Sequence, residues 1–355
     1  MKLVFWQNII SPHQSYFFNK ISSEFEVILI VEDLMSKERQ SQGWEIPKTD
    51  KIQVIKIEND QHLKILIDKF KYEKNVFSGL LGMGYPALKK ASIELSKYNK
   101  IYIICEAPIL LGYEKYLRIL KYKFLYYKCK NQIAHIFAMG ELGKKFYSKI
   151  GFSNKIITVF HYFIEPKELK EESFNLDKSK NNYVFVGQLI HRKGIDNLIN
   201  AFGGIDISTD WQLTIIGNGV LYEEIKYLLQ KNKLEEKVSI LGNKENSQVI
   251  NTIKNSDFLI LPSRFDGWGA VVSEALSVGT KVICSNKCGS AILINKDNGY
   301  VYNEDNIDDL KKSIKLSLID AVSNRIEIVK DFHIESNKKI KEFIDIIKST
   351  SNDSV

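Results

Sequence analysis

Asp266 and Glu274 stand eight positions apart in the stretch PSRFDGWGAVVSEALSVGTKVICS, residues 262–285. Gly267, Trp268 and Gly269 lie between them. A carboxylate can accept hydrogen bonds from two neighbouring hydroxyls. An acid pair at this spacing can therefore grip two ends of a hydroxyl-rich ligand. The two glycines let backbone N–H groups approach that ligand with no side chain in the way. A helix expected over 269–277 adds unpaired N–H groups and the positive end of a dipole, which suit a phosphate. Glu274 would sit about 8 Å along that helix. A plainer alternative makes Asp266 a turn and N-cap residue and Glu274 a solvated helix residue.

Three more loops carry comparable signals. In FVGQLIHRKGIDNLINAF a strand ends at Gly187, and His191, Arg192 and Lys193 precede a helix. Adjacent Arg and Lys at the mouth of a helix can neutralise a diphosphate. In TIIGNGVLYEEI a strand runs into Gly217 and Gly219. This resembles the start of a dinucleotide fingerprint but lacks its third glycine, which disfavours a nicotinamide oxidoreductase. In ILGNKENSQV backbone groups near Gly242 and Asn243 could meet a base.

These loops need strands behind them and helices ahead. Short apolar runs between longer amphipathic segments predict parallel sheets covered on both faces. In the first half, strands are expected at 2–7, 25–31, 52–57 and 101–105, with helices at 15–24, 62–71 and 86–98. The charged stretch EPKELKEESFNLDKSKNN, residues 165–182, interrupts the pattern and reads as a linker. Strands and helices then alternate from residue 183 through KVICS, a second doubly wound α/β domain. Two amphipathic segments, 306–322 and 331–348, finish the chain.

A chain of 355 residues, 44% hydrophobic, is long enough for two soluble domains. No apolar run is long enough to span a bilayer. The opening MKLVFWQNIISPHQ reads as a first buried strand rather than a signal peptide. Cys105, Cys129, Cys284 and Cys288 show no metal-binding spacing. They fit reduced thiols in a cytoplasm. The net charge of +7 is spread along the chain, with no nucleic-acid motif. An anionic small molecule or an acidic membrane surface fits it as well.

In order, the loops read V-G-x-L with K-G, I-x-G-x-G, L-G and LPSRFDGWGAVVSEALSVGTKVI. Over residues 182–295 they resemble the retaining, nucleotide-sugar-dependent glycosyltransferases of family four. The family signature is Glu, seven residues, Glu, with Asp266 here at the first position and Glu274 at the second. The looser N-terminal half, with QNIISPHQSYFF and CEAPILLG, is similar to a subgroup that builds bacterial surface polysaccharides. The resemblance implies an α/β GT-B fold, two Rossmann-like domains facing each other across a cleft, with C-terminal helices. It divides the chain into an acceptor-binding domain (1–165), a linker (166–181), a nucleotide-sugar-binding domain (182–325) and a C-terminal helix (326–355) crossing back to the first domain. The implied reaction moves a sugar to a saccharide or lipid-linked saccharide, with retention, in capsule, O-antigen or lipopolysaccharide biosynthesis.

Carried over residue by residue, Glu274 would hold the ribose hydroxyls and Asp266 would lie near the transferred sugar and its phosphates. Arg192 and Lys193 would stabilise the diphosphate leaving group. Gly187, Gly217, Gly219, Asn243, Gly267, Trp268 and Gly269 complete the expected donor site. Gln188 stands where the family often has Arg, which leaves the phosphate charge to Arg192 and Lys193. Asp266 is one methylene shorter than the usual Glu. No cofactor is implied beyond the donor itself, a uridine diphosphate sugar by family habit and guanosine diphosphate as the alternative. No D-x-D triplet occurs, so no metal is expected. In the first domain His13, in a loop after the first strand, and Glu106, after the strand IYIIC, are candidates for contact with the acceptor or reacting sugar; His161 is a third. A nucleotide-sugar epimerase of the same fold and a non-catalytic sugar-nucleotide-binding subunit remain open as alternatives.

Residues 113–130, YEKYLRILKYKFLYYKCK, place Lys115, Arg118, Lys121, Lys123, Lys128 and Lys130 among aromatic and aliphatic residues, against the single acid Glu114. Each cation near an anionic surface contributes about 1 kcal/mol. The stretch therefore points to a cytoplasmic protein lying peripherally on the inner face of the membrane. In the competing arrangement Leu117, Ile119, Leu120, Phe124 and Leu125 pack on the sheet and the cations stay in water.

Overall fold

The structure, a computed structural model, describes residues 1–36, 46–47, 49, 51–82, 84–165, 169, 174, 179–206, 208–320 and 324–350. Most of the expected linker at 166–181, and residues 351–355, lie outside the described residues. Two compact units emerge. One holds the described residues of 1–164 together with those from Ser336 onward, and the other those of Glu165–Glu335.

The first unit is built on β1 (Lys2–Gln7), β2 (Glu26–Val31), β3 (Gln53–Lys56), β4 (Lys74–Ser78), β5 (Ile101–Cys105), β6 (Ile133–Met139) and β7 (Ile157–Phe160). They form a seven-stranded sheet in the order β3-β2-β1-β4-β5-β6-β7. Every pairing in it is parallel. Among the described residues, five helices connect the strands: α1 (Pro12–Ile21), α2 (Asp60–Phe70), α3 (Pro86–Leu95), α4 (Glu114–Cys129) and α5 (Gly140–Ile150). β1 and β2 read as unbroken apolar runs because helices cover both faces of a parallel sheet.

The first helix starts earlier than the expected residue 15. Pro12 occupies its first turn, where a fixed φ and a missing N–H cost nothing. His13 therefore belongs to α1 and is buried, not part of a loop.

The second unit repeats the plan with β8 (Asn181–Val186), β9 (Trp211–Ile216), β10 (Val238–Ile240), β11 (Phe258–Leu261), β12 (Lys281–Ser285) and β13 (Gly299–Tyr302). Its six-stranded parallel sheet runs β10-β9-β8-β11-β12-β13. The helices are α6 (Ile195–Phe202), α7 (Tyr222–Lys231), α8 (Asn246–Lys254), α9 (Ala270–Ser277) and α10 (Ile307–Ile319).

The last helix, α11 (Arg325–Ser349), contributes to both units, each contact lying within one of them. Arg325 donates to the carbonyls of Lys254 and Ser256 and pairs with Asp257 at 3.2 Å. Further along, Phe343 is wholly buried among Phe5, Phe17, Phe137 and Phe160.

α4 departs from the arrangement in which its aliphatic residues pack inward. Leu117, Leu120 and Phe124 are exposed, and Cys129 is its only buried residue. Tyr122 and Tyr126 form the inward stripe instead, with ring centroids 4.9 Å from Phe146 and from Phe152.

Candidate active site

In open parallel sheets, ligands sit beyond the carboxyl ends of the strands where the strand order reverses. In the second unit that place lies between β8 and β11. The segment after β8 folds into a single 3-10 turn, His191–Lys193, and the segment after β11 runs from Pro262 to the start of α9.

The two segments are laced together. Lys193 Nζ donates to Asp266 Oδ2 at 2.6 Å. Arg192 Nη1 donates to the Phe265 carbonyl at 3.2 Å, and the Arg264 amide to the Arg192 carbonyl at 2.9 Å. Asp266 is held in turn from the segment after β12. Its amide donates to the Lys287 carbonyl, and its carbonyl accepts from the Gly289 amide, both at 3.0 Å. The cationic pair and the first acid are thus one cluster. Lys193 and Asp266 have side chains 16% and 13% exposed, enough for a ligand to reach.

The glycines have a sharper role than making room for a ligand. A side chain on Gly217 would collide with the Gly187 carbonyl, and one on Gly219 with the Leu189 carbonyl. These glycines let the loops after β8 and β9 pack backbone on backbone, with the Gly187 amide donating to the Ile216 carbonyl and the Leu189 amide to the Asn218 carbonyl. Gly187 itself lies against the Lys193 stem, since a Cβ there would be 3.7 Å from Lys193 Cδ.

α9 begins from Gly269 with no side chain capping its first turn, so its N–H groups point at the same rim. Glu274 is half-buried, one turn further in. Gly267 precedes this helix, and its carbonyl lies close against Gly289. Trp268 sits elsewhere than expected of a donor-facing ring. It is 1% exposed and its indole N–H donates to Ser273 Oγ at 3.2 Å, so it is a core residue that holds the turn. Asn243 and His191 are exposed at the rim.

Arg264 carries a role that its position in the sequence did not reveal. It grips Asp196 through two bonds of 2.7 Å and also donates to the His191 carbonyl and to Asn197 Oδ1. Burial alone would raise the Asp196 carboxyl, but the bonds and charge of Arg264 outweigh it and hold the acid below its ordinary value. A lowered carboxyl keeps the pair intact at neutral pH and releases it only as the pH falls through that lowered value. The fork fixes the turn carrying Arg192 and Lys193 to the segment carrying Asp266. Arg264→Met is expected to cost about 2 kcal/mol, because Asp196 is left without its charged partner. Asp196→Asn in the same chain recovers part of that loss. Denaturant midpoints of the wild type, both single variants and the double variant measure the coupling. Strictly additive losses would remove the fork.

In the first unit, two of the three candidates meet around Tyr162. Its hydroxyl donates to Glu106 Oε1 at 2.7 Å, and its ring lies 6.1 Å from the His13 imidazole. The Tyr147 hydroxyl donates to the Glu106 carbonyl at 3.1 Å. Glu106 is exposed, whereas His13 is buried. His161 is also buried, with Nδ1 bonded to the Tyr162 carbonyl at 2.8 Å, and packs against Phe163 as part of the core. Tyr162 and Arg264 are the residues that sequence reading missed. Tyr162 could have been found as a polar-tipped ring two residues after a strand; Arg264 had no such signal.

The family model for glycosyl transferases, group 1, matches residues 166–343, just over half of the chain. The chain belongs to this family. As a group 1 glycosyltransferase of family-four type it has the GT-B fold, α/β with two Rossmann-like units. An uncharacterized glycosyltransferase of Methanocaldococcus jannaschii is 35% identical over 132 residues, 37% of this chain and 36% of that one. The UDP-Gal:alpha-D-GlcNAc-diphosphoundecaprenol alpha-1,3-galactosyltransferase of Escherichia coli is 28% identical over 197 residues, 52% of this chain and 50% of that one. The chain thus aligns with half or less of the length of these curated relatives. Among solved structures, the lipopolysaccharide outer core galactosyltransferase WaaB superposes with a TM-score of 0.72 at 18% identity, covering 99% of this chain and all of that one. HepE of Anabaena, solved with UDP, gives 0.70 at 12% identity over 98% of this chain and 100% of its own. At these identities the structural likenesses speak for the fold alone.

Proposed function

We propose that this group 1 glycosyltransferase moves a sugar from a nucleotide diphosphate to a saccharide or lipid-linked saccharide, with retention, in bacterial surface-polysaccharide synthesis. The observation that carries the reading is the cluster of Arg192, Lys193 and Asp266 beside the uncapped start of α9, at the switch point of a parallel sheet. As the bond between the anomeric carbon and the diphosphate oxygen breaks, negative charge grows on that oxygen. Lys193, Arg192 and the α9 N–H groups are aimed where it grows. They supply the charge that a divalent ion would supply, which supports a metal-independent reaction. The acceptor hydroxyl attacks the anomeric carbon from the face the diphosphate leaves, and its proton passes to the departing phosphate oxygen. No separate protein base is then needed.

Glu274 takes the ribose hydroxyls and Asp266 lies by the sugar and the phosphates. Its bond to Lys193 orients that ammonium until a diphosphate shares it. Uridine diphosphate is the preferred carrier. A UDP-galactose donor in the name of one relative supports that choice. The acceptor falls to the first unit, at Glu106, Tyr162 and His13, and diphosphoundecaprenol in the same relative's name supports a lipid-linked form. The place of action is the cytoplasm, peripherally at the membrane. Among the described residues, no helix is long and apolar enough to cross a bilayer.

A panel of nucleoside diphosphates and sugar nucleotides tests this, because a ligand that binds the folded state raises Tm. The expected result is a rise with one uridine diphosphate sugar and with UDP. Glu274→Gln is expected to weaken that donor about tenfold, roughly 1.4 kcal/mol, with Tm of the protein alone unchanged. Equal affinity of wild type and variant, titrated calorimetrically, would remove the ribose role.

A further inference from the structure

One edge of the second unit's sheet is open. β13 ends the strand order and pairs only with β12 among the described residues. In a parallel pair, alternate residues turn both amide and carbonyl toward the neighbour. The Val282 amide donates to the Asn298 carbonyl at 3.0 Å and the Asn286 amide to the Tyr302 carbonyl at 2.9 Å, both from the β12 side. Tyr300, between them, points the same way. Val301 therefore presents its N–H and C=O outward, and it is 45% exposed. Natural sheets guard such an edge with a lysine, a proline or a bulge. β13 has none of these, since its sequence is GYVY and its register with β12 is continuous.

A groove of about 470 Å³ runs along this edge. One wall is a stripe of α10, made by Asp309, Lys312, Ser313 and Leu316. Steps of three, four and seven put these residues on one face of the helix. Leu316 is 39% exposed. Side chains hold the groove in shape. Asn298 Oδ1 accepts from the Asn295 amide at 2.8 Å and its Nδ2 donates to the Leu293 carbonyl at 2.9 Å, which fixes the turn carrying Lys296. The Tyr300 hydroxyl donates to Asp320 Oδ2 at 3.0 Å, just past the end of α10. A groove that is already formed spares a ligand the cost of ordering it.

The charges in the groove are unbalanced. Lys296 and Lys312 are exposed and have no carboxylate partner among the described residues. Asp309, the one acid in the lining, is half-buried and accepts from Asn306 Nδ2 at 3.4 Å. An open strand edge beside a helix is the geometry that receives an extended peptide as one more strand. The free lysines select carboxylates on that peptide, and Val301 and Leu316 select apolar side chains.

We propose that β13 and α10 form a docking groove for an extended, acidic segment of a partner protein, which joins the sheet beyond β13. Main-chain bonds to Val301 give it affinity, and carboxylates at Lys296 and Lys312 give it selectivity. The groove lies two strands from β11. A docked segment thus leaves the cluster of Arg192, Lys193 and Asp266 open, and acts as a tether rather than a substrate. A second copy of this chain fits less well. Two β13 edges paired across a two-fold axis would carry both α10 helices onto one face and set Lys312 of each copy toward the other.

Fluorescence anisotropy with the full chain tests the groove. The probe is a labelled, capped peptide of about seven residues alternating valine and glutamate, long enough to span β13. It is expected to bind, and the same peptide with lysine in place of glutamate is not. Val301→Pro removes the outward N–H and leaves the β12 ladder intact. It is expected to weaken binding at least about tenfold. Lys296→Glu combined with Lys312→Glu is expected to weaken it about tenfold. Unchanged Tm values verify that both variants fold. The acidic peptide with every backbone nitrogen methylated tests the ladder on the wild-type chain alone, and it is expected not to bind. No binding of the acidic peptide, equal binding of the acidic and basic peptides, or binding that survives methylation overturns the proposal. So does a wild-type dimer in light scattering that Val301→Pro turns into monomer, since that assigns the edge to a second copy. UDP affinity of both variants is expected to match wild type. Peptide binding by a protein with no affinity for any nucleotide would sink the donor reading and leave the groove standing.

Discussion

Arg192→Ala combined with Lys193→Ala is expected to lower kcat by about 100- to 1,000-fold, the range seen when a group aimed at developing charge is removed. The effect belongs in kcat because the diphosphate oxygen gains charge only as the sugar leaves. Removing Lys193 has a second consequence. Asp266, its side chain only 13% exposed, loses the ammonium 2.6 Å away. A stranded carboxylate lowers stability. A third change, Asp266→Asn, relieves that cost without restoring a cation. The triple variant is therefore expected to recover Tm and to stay slow. Turnover of the donor found by the ligand panel, measured beside Tm, separates the two roles. A folded double variant with wild-type kcat would exclude leaving-group stabilisation by these residues.

That cluster could be anticipated because its parts announce themselves locally. Glycine-bounded turns follow the apolar strands β8 and β11, and basic or acidic residues stand in them. β1, β2, β11 and β12 were legible for a related reason: strands buried on both faces are continuous apolar runs. β4 was not. Its KNVFS opens with Lys74 and Asn75, both buried. Partners far along the chain satisfy them, the Ile347 carbonyl for Lys74 and Trp6 for Asn75, whose side-chain amide also donates to the nearby Phe70 carbonyl. β6 hides a similar exception in His135, which bonds Thr158 Oγ1 at 2.9 Å and whose pKa burial lowers to about 4. Arg264 and Asp196 are 68 positions apart, and no local pattern joins them. For α4 the sequence carried the amphipathic composition but not its direction. Which stripe faces water is decided by α5 and Phe152, which receive Tyr122 and Tyr126.

Gly194→Ala is expected to cost at least about 3 kcal/mol and to abolish donor binding, whereas Gly242→Ala is expected to cost about 1 kcal/mol. The two glycines make a controlled pair. Both lie in the second unit, with φ of 68° and 67°. A side chain in that left-handed region carries the same backbone penalty at either site. Their surroundings differ. A Cβ on Gly242 meets nothing within 4 Å, while one on Gly194 would collide with the Pro262 carbonyl. That carbonyl cannot yield cheaply. Pro262 directly follows β11, and the Arg264 amide two residues on is bonded to the Arg192 carbonyl. Relief of the clash must push the β8 and β11 segments apart, which separates Lys193 from Asp266 and moves Arg192 off the Phe265 carbonyl. The extra loss in Gly194→Ala therefore measures the close approach itself. Urea midpoints of the two variants, with donor affinity by calorimetry, check it. Equal midpoints with donor binding retained would show that the approach of the two segments is not what holds the site together.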